Sequence, residues 1–263
     1  MFMIGNKILL KMENMQTPEI SPNISYDIVE LPSKGIFYAN KKKSLKVAYL
    51  TAADENILTS PSLSQSGELM DTLLKAKVLD KDVDVLNLAE CDKQAIFVFL
   101  RNTGFGPEYK FKLTDPKTGK EFEHVEDLSI LKTKDVSVEP DKDGLFEYKL
   151  PVSGKICKLR LLTPKDNKEL LELEKSYADM KVKPMATKRL EKCVIEISGE
   201  KDPMTISSTI HTLPLRDAQE IKKFLTSVEP GLDVNKVAIA PSGEKITYNI
   251  NFGLNFFRPF FGL

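Results

Sequence analysis

The chain has 263 residues, of which 41% are hydrophobic and 29% are charged, a composition that is ordinary for a globular protein. Lysine plus arginine and aspartate plus glutamate both total 38, so the net charge is zero. A neutral chain has no strong field to attract nucleic acid or an anionic membrane, and we expect neither as a partner. No stretch approaches the ~18 consecutive apolar residues of a membrane-spanning helix.

Cysteine and histidine are too few and too scattered to predict a transition-metal site. The cysteines are Cys91, Cys157 and Cys193, none of which forms a CxxC motif, and the histidines are His124 and His211. A structural zinc site needs about four nitrogen or sulfur ligands. We therefore expect reduced, mostly buried thiols, as in a cytosolic setting, and neither a metal nor another cofactor.

Residues 1–30 are predicted to form an extended N-terminal arm, because Asn14, Pro18 and Pro22 interrupt any long element. The apolar start of the arm is too short to span a membrane, and it lacks the cationic region and the cleavage site of a signal peptide. Met12 and Met15 are alternative translation starts.

Residues 31–135 are predicted to form an N-terminal α+β domain. Thr51 begins a capping box, and Asp92 is placed to cap a later helix that ends at Gly104. The predicted elements are a turn at 31–38 that leads into a strand, a strand at 45–50, helices at 51–60, 67–77 and 92–104, and a hairpin at 109–123.

Residues 136–263 are predicted to form a C-terminal α+β domain. Thr163 followed by Pro164 is a typical helix start. The predicted elements are strands at 145–150 and 156–162, a helix from 163 towards 180, a strand at 189–198, a helix from 213 to about 228, and a second hairpin at 237–252 before a phenylalanine-rich tail. The predicted fold class is α+β, with short helices, two β-hairpins and an extended arm.

The two hairpins share one layout: an apolar-alternating run, a turn rich in proline and glycine, and a second alternating run. A zinc knuckle has this layout with Cys-Pro-x-Cys-Gly at its tip. Here the tips are Asp-Pro-Lys-Thr-Gly at residues 115–119 and Ala-Pro-Ser-Gly at residues 240–243, without cysteine. We interpret both hairpins as degenerate, metal-free knuckles with a scaffolding role.

Metal binding at the first hairpin is the alternative to this interpretation. Its ligands would be Asp115, Glu121, Glu123 and His124. This set is disfavoured because a zinc site takes about four nitrogen or sulfur ligands in a tight tetrahedron. The acidic loop at residues 141–144 is likewise too incomplete for a calcium loop, which alternates its ligands and closes with a glutamate at its twelfth position.

No sequence pattern predicts catalysis. The glycines at 104 and 106 follow a helix, whereas a phosphate-binding loop leads into one. Neither histidine has a nearby serine or cysteine in sequence that suggests a nucleophile pair. We therefore predict no catalytic residue and no enzyme. A site assembled only in three dimensions stays open as an alternative.

The C-terminal phenylalanines are the candidate interface. Aromatic and arginine side chains dominate interface hot spots, so a tail of this composition favours an anchor in a neighbouring subunit. Burial in the chain's own core is the alternative. The candidate interface residues are Phe256, Phe257, Arg258, Phe260 and Phe261.

Four stretches resemble the baseplate hub protein family of T-even-type and related tailed bacteriophages. They are Glu-Leu-Pro-Ser-Lys-Gly-Ile-Phe-Tyr at 30–38, Thr-Ala-Ala-Asp-Glu-Asn-Ile-Leu-Thr-Ser at 51–60, the helix and Arg-Asn-Thr-Gly-Phe-Gly-Pro-Glu-Tyr at 92–109, and 228–259 from Val-Glu-Pro-Gly-Leu-Asp to Phe-Phe-Arg-Pro. The match covers roughly residues 30–125 and 205–260, and order and spacing agree. The departure is at the hairpin tips, where many relatives carry the cysteines.

The resemblance implies a structural component of a phage tail baseplate that links the hub or tube to surrounding baseplate proteins. It implies other hub, tube and wedge proteins as partners, several copies in a symmetric assembly, and a place in the virion after assembly in the host cytoplasm. The alternative within the same family is a hub assembly chaperone that is absent from the mature virion.

Overall fold

The computed structural model describes residues 24–136 and 138–257. Short helices alternate with short antiparallel strand pairs, which confirms the α+β class. Residues 1–23 of the predicted arm lie outside the described residues. The prediction of an extended arm is wrong over residues 26–30, because Tyr26–Glu30 is the first strand of a sheet.

The part of the fold before residue 131 is a strand pair, a group of helices and a hairpin. Its elements are β1 Tyr26–Glu30, β2 Ser44–Ala48, α1 Glu55–Leu58, α2 Pro61–Ser66, α3 Leu69–Lys77, α4 Glu90–Phe105, β3 Glu108–Thr114 and β4 Glu121–Asp127. Strands β1 and β2 are antiparallel, with Ile28 opposite Lys46, and β3 pairs with β4 with Phe111 opposite His124.

The remaining elements are a three-stranded sheet with four helices, then a second hairpin and a short helix. They are β5 Phe146–Lys149, β6 Ile156–Leu159, α5 Pro164–Ser176, α6 Met185–Cys193, β7 Val194–Ile197, α7 Pro203–Thr212, α8 Leu215–Val228, β8 Asn235–Ile239, β9 Lys245–Asn249 and α9 Leu254–Phe257. The sheet has the order β5-β6-β7 and is antiparallel throughout.

The buried apolar side chains form two separate cores. One core contains residues between Val29 and Leu128 together with residues of β8, β9 and α9, and we call residues 24–131 and 234–257 the discontinuous unit. The other core contains residues from β5 to β7 and α6 to α8, and we call the described part of residues 135–229 the inserted unit.

This division differs from the predicted boundary at 135/136, which placed the second hairpin and the tail in the C-terminal domain. The structure places both in the core of the first domain, where Tyr248, Phe256 and Phe257 are buried. The reason is physical: periodicity shows that a hairpin has an apolar face, but it does not show which core that face will complete.

Two local predictions in the inserted unit were incomplete. The predicted strand at 189–198 is a strand only over Val194–Ile197, because the preceding residues complete α6, whose buried residues are Leu190 and Cys193. Helix α7 has no counterpart among the predicted elements. This helix is capped by Asp202, whose carboxylate accepts a hydrogen bond from the Thr205 N–H, and Pro203 occupies its first turn.

The predicted start of α5 is confirmed in atomic detail. Thr163 and Asp166 form a capping box, and Pro164 is the first helical residue. Asp166 also accepts hydrogen bonds from both terminal nitrogens of Arg160, at 2.6 and 2.9 Å. The Arg160 guanidinium holds the pKa of Asp166 well below its usual range, and the Thr163 hydroxyl and N–H contribute in the same direction against the effect of burial.

We predict that Asp166→Asn lowers the free energy of unfolding by about 1–3 kcal/mol at pH 7, since it removes a charged acceptor from Arg160. A depressed folded-state pKa stabilises the fold above the unfolded-state pKa of about 3.9 and loses that effect as the pH falls below it. Urea unfolding at pH 7 and at about pH 2.5 should therefore show a smaller difference from wild type at low pH. Asp143→Asn, in an exposed loop, is the control. A difference that is equal at both pH values would contradict the assignment.

Candidate functional site

Both predicted hairpins are present, and their turns fall where the sequence placed them. Thr114 opposite Glu121 closes the first hairpin, and Ile239 opposite Lys245 closes the second one. A glycine with a positive φ angle serves each turn: 67° at Gly119 and 86° at Gly243. These are backbone conformations that favour glycine over any residue with a Cβ.

The two tips, far apart in sequence, are in contact through Asp115. This carboxylate accepts hydrogen bonds from the N–H of Ser242 at 3.1 Å and from its hydroxyl at 2.8 Å. Within its own turn it also accepts from the N–H groups of Lys117 at 2.9 Å and Thr118 at 3.2 Å. Asp115 is only 2% exposed. One buried carboxylate therefore joins the two turns.

The electrostatics of Asp115 fit this role. Burial opposes ionisation of the carboxyl group, but the hydrogen bonds from Ser242 and from the N–H groups of the turn outweigh it. Together they lower the pKa of Asp115 below its usual value. The group is an anion at neutral pH, and an anionic acceptor makes stronger hydrogen bonds than a neutral one.

A second contact joins the hairpins nearer their bases. The Tyr248 hydroxyl on β9 donates a hydrogen bond of 2.5 Å to Glu126 on β4, and it lies 3.0 Å from Nε2 of His124. The Tyr248 ring packs on Phe111 with centroids 5.2 Å apart. Burial and the neighbouring Glu126 carboxylate raise the pKa of Tyr248, so it remains a neutral donor.

The four residues considered as metal ligands at the first hairpin either bind other protein groups or are exposed to solvent. Asp115 binds the second turn, His124 contacts Tyr248, and Glu121 pairs with Lys112 at 3.1 Å. Glu123 is exposed. Within residues 24–136 and 138–257, no group of three or more histidine, cysteine, aspartate or glutamate side chains is arranged to hold a metal ion.

The structure places the first two candidate interface residues in the core of the chain itself. Phe256 and Phe257 are both 0% exposed. Phe256 packs on Tyr109 at 5.2 Å between ring centroids, and Phe257 meets Phe97 edge to face at 5.9 Å. These two rings thus offer no free surface to a neighbour, which is the alternative that the sequence left open. Arg258, Phe260 and Phe261 lie outside the described residues.

Asp92 has a role that the sequence analysis missed. The residue was expected to cap α4, but it lies inside the first turn of that helix and Ala89 is the N-cap residue. Its buried carboxylate instead accepts hydrogen bonds from the N–H and hydroxyl of Ser33, at 2.9 and 2.6 Å, and from the Tyr38 hydroxyl at 2.5 Å. Asp92 therefore anchors the turn at 31–38 to α4. The sequence offers no signal for this role, because an aspartate near a predicted helix start is equally typical of a cap.

Arg101 is the second residue that sequence reasoning missed. Its side chain is 0% exposed, and its terminal nitrogens donate to the carbonyls of Gly106 at 3.2 Å and Glu108 at 3.0 Å. The guanidinium also lies over the rings of Phe105 and Tyr109, at 5.4 and 5.9 Å. Arg101 thus fixes the turn between α4 and β3, the glycine-containing segment at 104–106 that the sequence argues against as a phosphate-binding loop.

The remaining candidate residues have structural roles. The carboxylate of Asp141 accepts hydrogen bonds from the N–H groups of Asp143 and Leu145, both at 2.9 Å, which makes the acidic loop a turn. The thiols of Cys157 and Cys193 are free and buried, and burial raises the pKa of each to about 11. Such thiols are poor nucleophiles.

Comparison with known proteins identifies no relative: no family model, no curated protein and no solved structure matches the chain. Among the helices of the described residues, none is long and apolar enough to cross a bilayer.

We predict that Asp115→Ala separates the two tips and lowers Tm by several degrees, because it leaves the N–H groups of two turns without their acceptor. Hydrogen exchange followed by mass spectrometry should show faster exchange at residues 115–119 and 240–243 together. Asp143→Ala, in an exposed turn, is the matched control. If Asp115→Ala speeds exchange at the first turn alone, the carboxylate does not join the tips.

Proposed function

We propose that this chain is a structural component of a phage tail baseplate, linking the hub or tube to the surrounding baseplate proteins. The observation that supports this most is where the four stretches of the family resemblance lie. All of them, from 30–38 to the described end of 228–259, contribute side chains to the discontinuous unit, and they contact one another there.

The first and third stretches are joined by hydrogen bonds. Ser33 and Tyr38, from the first one, both donate to the buried carboxylate of Asp92 in the third one. The Tyr38 oxygen in turn accepts from the N–H of Ala89 at 2.9 Å. A turn and a helix that are distant in sequence are therefore fixed by three side chains that the motifs contain.

The third and fourth stretches are joined by aromatic packing. Tyr109 ends the third one and packs on Phe256 of the fourth one, while Phe97 packs on Phe257. Gly104 has a separate requirement: a Cβ there would lie 2.7 Å from Cδ1 of Leu50, immediately before the second stretch. The residues that carry the family resemblance thus pack against one another. Such contacts are expected if the stretches preserve one common fold, and they are not expected of stretches that match by chance.

The contact between the two hairpin tips supports a scaffolding role for the hairpins. We propose that they are metal-free counterparts of paired zinc knuckles, in which the Asp115 carboxylate and Ser242 join the tips in place of a bound ion. The base contact between Tyr248 and Glu126 reinforces this junction. The polar clusters described above each hold two segments together, which favours a structural role over catalysis.

The baseplate role is tested by quantitative mass spectrometry of purified particles of the phage that encodes the chain, with infected-cell extract measured in parallel. Stoichiometric copies in the particle, cross-linked to hub, tube or wedge proteins, are expected. Presence in the extract and absence from the particle would instead indicate the assembly chaperone. Absence from both would refute the proposal.

The role of the tail is tested by two variants that separate packing from anchoring. Phe256→Ala should cost about 3–5 kcal/mol of stability, because it opens a cavity in a fully buried site. Deletion of residues 258–263 keeps both core rings in the chain, and we expect incorporation into baseplates to fall severalfold; Tm of the same variant, measured in parallel, separates a folding defect from lost anchoring. Normal incorporation of the deletion variant would show that the tail is not an anchor.

A further inference from the structure

The chain crosses between its two units twice, and the two crossings are paired with each other. Residues 132–134 lead into the inserted unit and residues 231–233 lead out of it. Thr133 lies opposite Leu232 as an antiparallel pair, and the two backbone hydrogen bonds that flank this pair are both 2.8 Å long. We call these six residues the hinge ladder. One short two-stranded connection therefore carries both covalent links.

The polar contacts of the described residues do not bridge the two units outside this ladder. Ion pairs such as Lys77–Asp54 and Arg160–Asp166 lie within one unit or the other. The networks around Asp92, Asp115 and Asp217 likewise each stay within one unit. The two units also have separate apolar cores. The relative position of the units is thus weakly constrained by polar bonding.

An open cavity of about 460 Å³ lies between the units, next to the hinge ladder. Phe37, Leu86 and Leu88 line it from the discontinuous unit, Leu162 and Leu171 line it from the inserted unit, and Pro230 borders it at the hinge. Leu86 is 40% exposed and Leu171 is 60% exposed. Apolar side chains therefore stand in solvent on opposite walls of one cleft.

The charges around the cleft would not oppose an approach of its walls. Lys93 and Asp71 line the wall of the discontinuous unit, 3.9 Å apart as a pair, together with Glu90. Lys168 and Glu229 line the wall of the inserted unit. Both walls thus carry a cation and at least one carboxylate, so closure brings opposite charges together as well as like ones.

We propose that the inserted unit is a hinged lobe, which swings about the hinge ladder and closes on the discontinuous unit by burying Leu171 against the wall that carries Leu86. Removing both leucines from water favours the closed state, and no polar contact across the open cleft has to break. Hinge closure of this kind uses a few residues at element ends to absorb the backbone change. This inference does not depend on the baseplate role.

The motion is measured by double electron–electron resonance on full-length chain with spin labels at Lys75→Cys and Lys201→Cys, exposed positions on different units. The background carries Cys91→Ala, since Cys157 and Cys193 are buried. Two label pairs within single units give the width of a rigid distance: Lys75 with Lys112, and Lys201 with Lys223.

We expect two distance populations for the pair that spans the units and one narrow population for each control pair. Leu171→Asp should deplete one of the two populations severalfold, whereas Leu215→Asp, at a leucine of the same unit that is 74% exposed and does not line the cleft, should leave both. Because both leucines are exposed, each variant is expected to fold, which circular dichroism verifies. A single spanning distance as narrow as the controls, or identical effects of the two aspartate variants, would overturn the proposal.

Discussion

The contact on which the rest of the structure depends joins the end of the described chain to its middle. Phe256 packs on Tyr109 and Phe257 packs on Phe97, with the two C-terminal rings wholly buried. Each such aromatic pair contributes about 0.5–1.5 kcal/mol beyond its buried area. Because the inserted unit separates these partners in sequence, the first core is complete only when the last described residues are in place. That closure bears an entropic cost, which grows slowly with the length of the intervening loop.

Buried carboxylates are the second device that organises this chain. Asp92, Asp115 and Asp217 are each almost without exposed surface, and each accepts hydrogen bonds from a distant segment. Asp217, for example, receives the N–H groups of Val152 and Ser153, at 2.8 and 2.9 Å. At Asp115 and Asp217, where the pKa is lowered, the ionised carboxylate is tolerated because several donors replace its water. In turn it satisfies the backbone N–H groups of loops that no helix or sheet would satisfy.

These contacts make the discontinuous unit the rigid part of the molecule and leave the inserted unit as the adaptable part. The discontinuous unit is tied together by hydrogen bonds at Asp92 and Asp115 and by the aromatic cluster, and each stretch that resembles the phage family contributes side chains to it, although Val228 at the start of the fourth stretch lies in the other core. The inserted unit has its own core and is attached through one ladder. A chain built this way can keep the discontinuous unit fixed while the inserted unit moves about the hinge ladder, as proposed above.

The local elements and the bulk properties of this chain could be predicted from its sequence. Alternating apolar residues and turn residues predicted both hairpins, and the Thr163–Asp166 capping box predicted the start of α5. The neutral charge and the scattered cysteines gave no reason to expect a nucleic-acid surface or a transition-metal site. These features depend on neighbours within a few residues, so local propensity is enough to predict them.

Which faces meet depends on tertiary packing and could not be predicted from the sequence. In the structure the two hairpin tips meet at Asp115, and the second hairpin packs in the first core. Asp92 anchors a distant turn instead of capping its helix, and Arg101 is buried against two carbonyl groups. Two phenylalanines that composition made equally suitable for an interface or a core were placed in the core. Each of these outcomes depends on residues far apart in the chain, and burial of apolar area is not directional. Shape complementarity in three dimensions therefore chose among partners that the sequence pattern left equivalent.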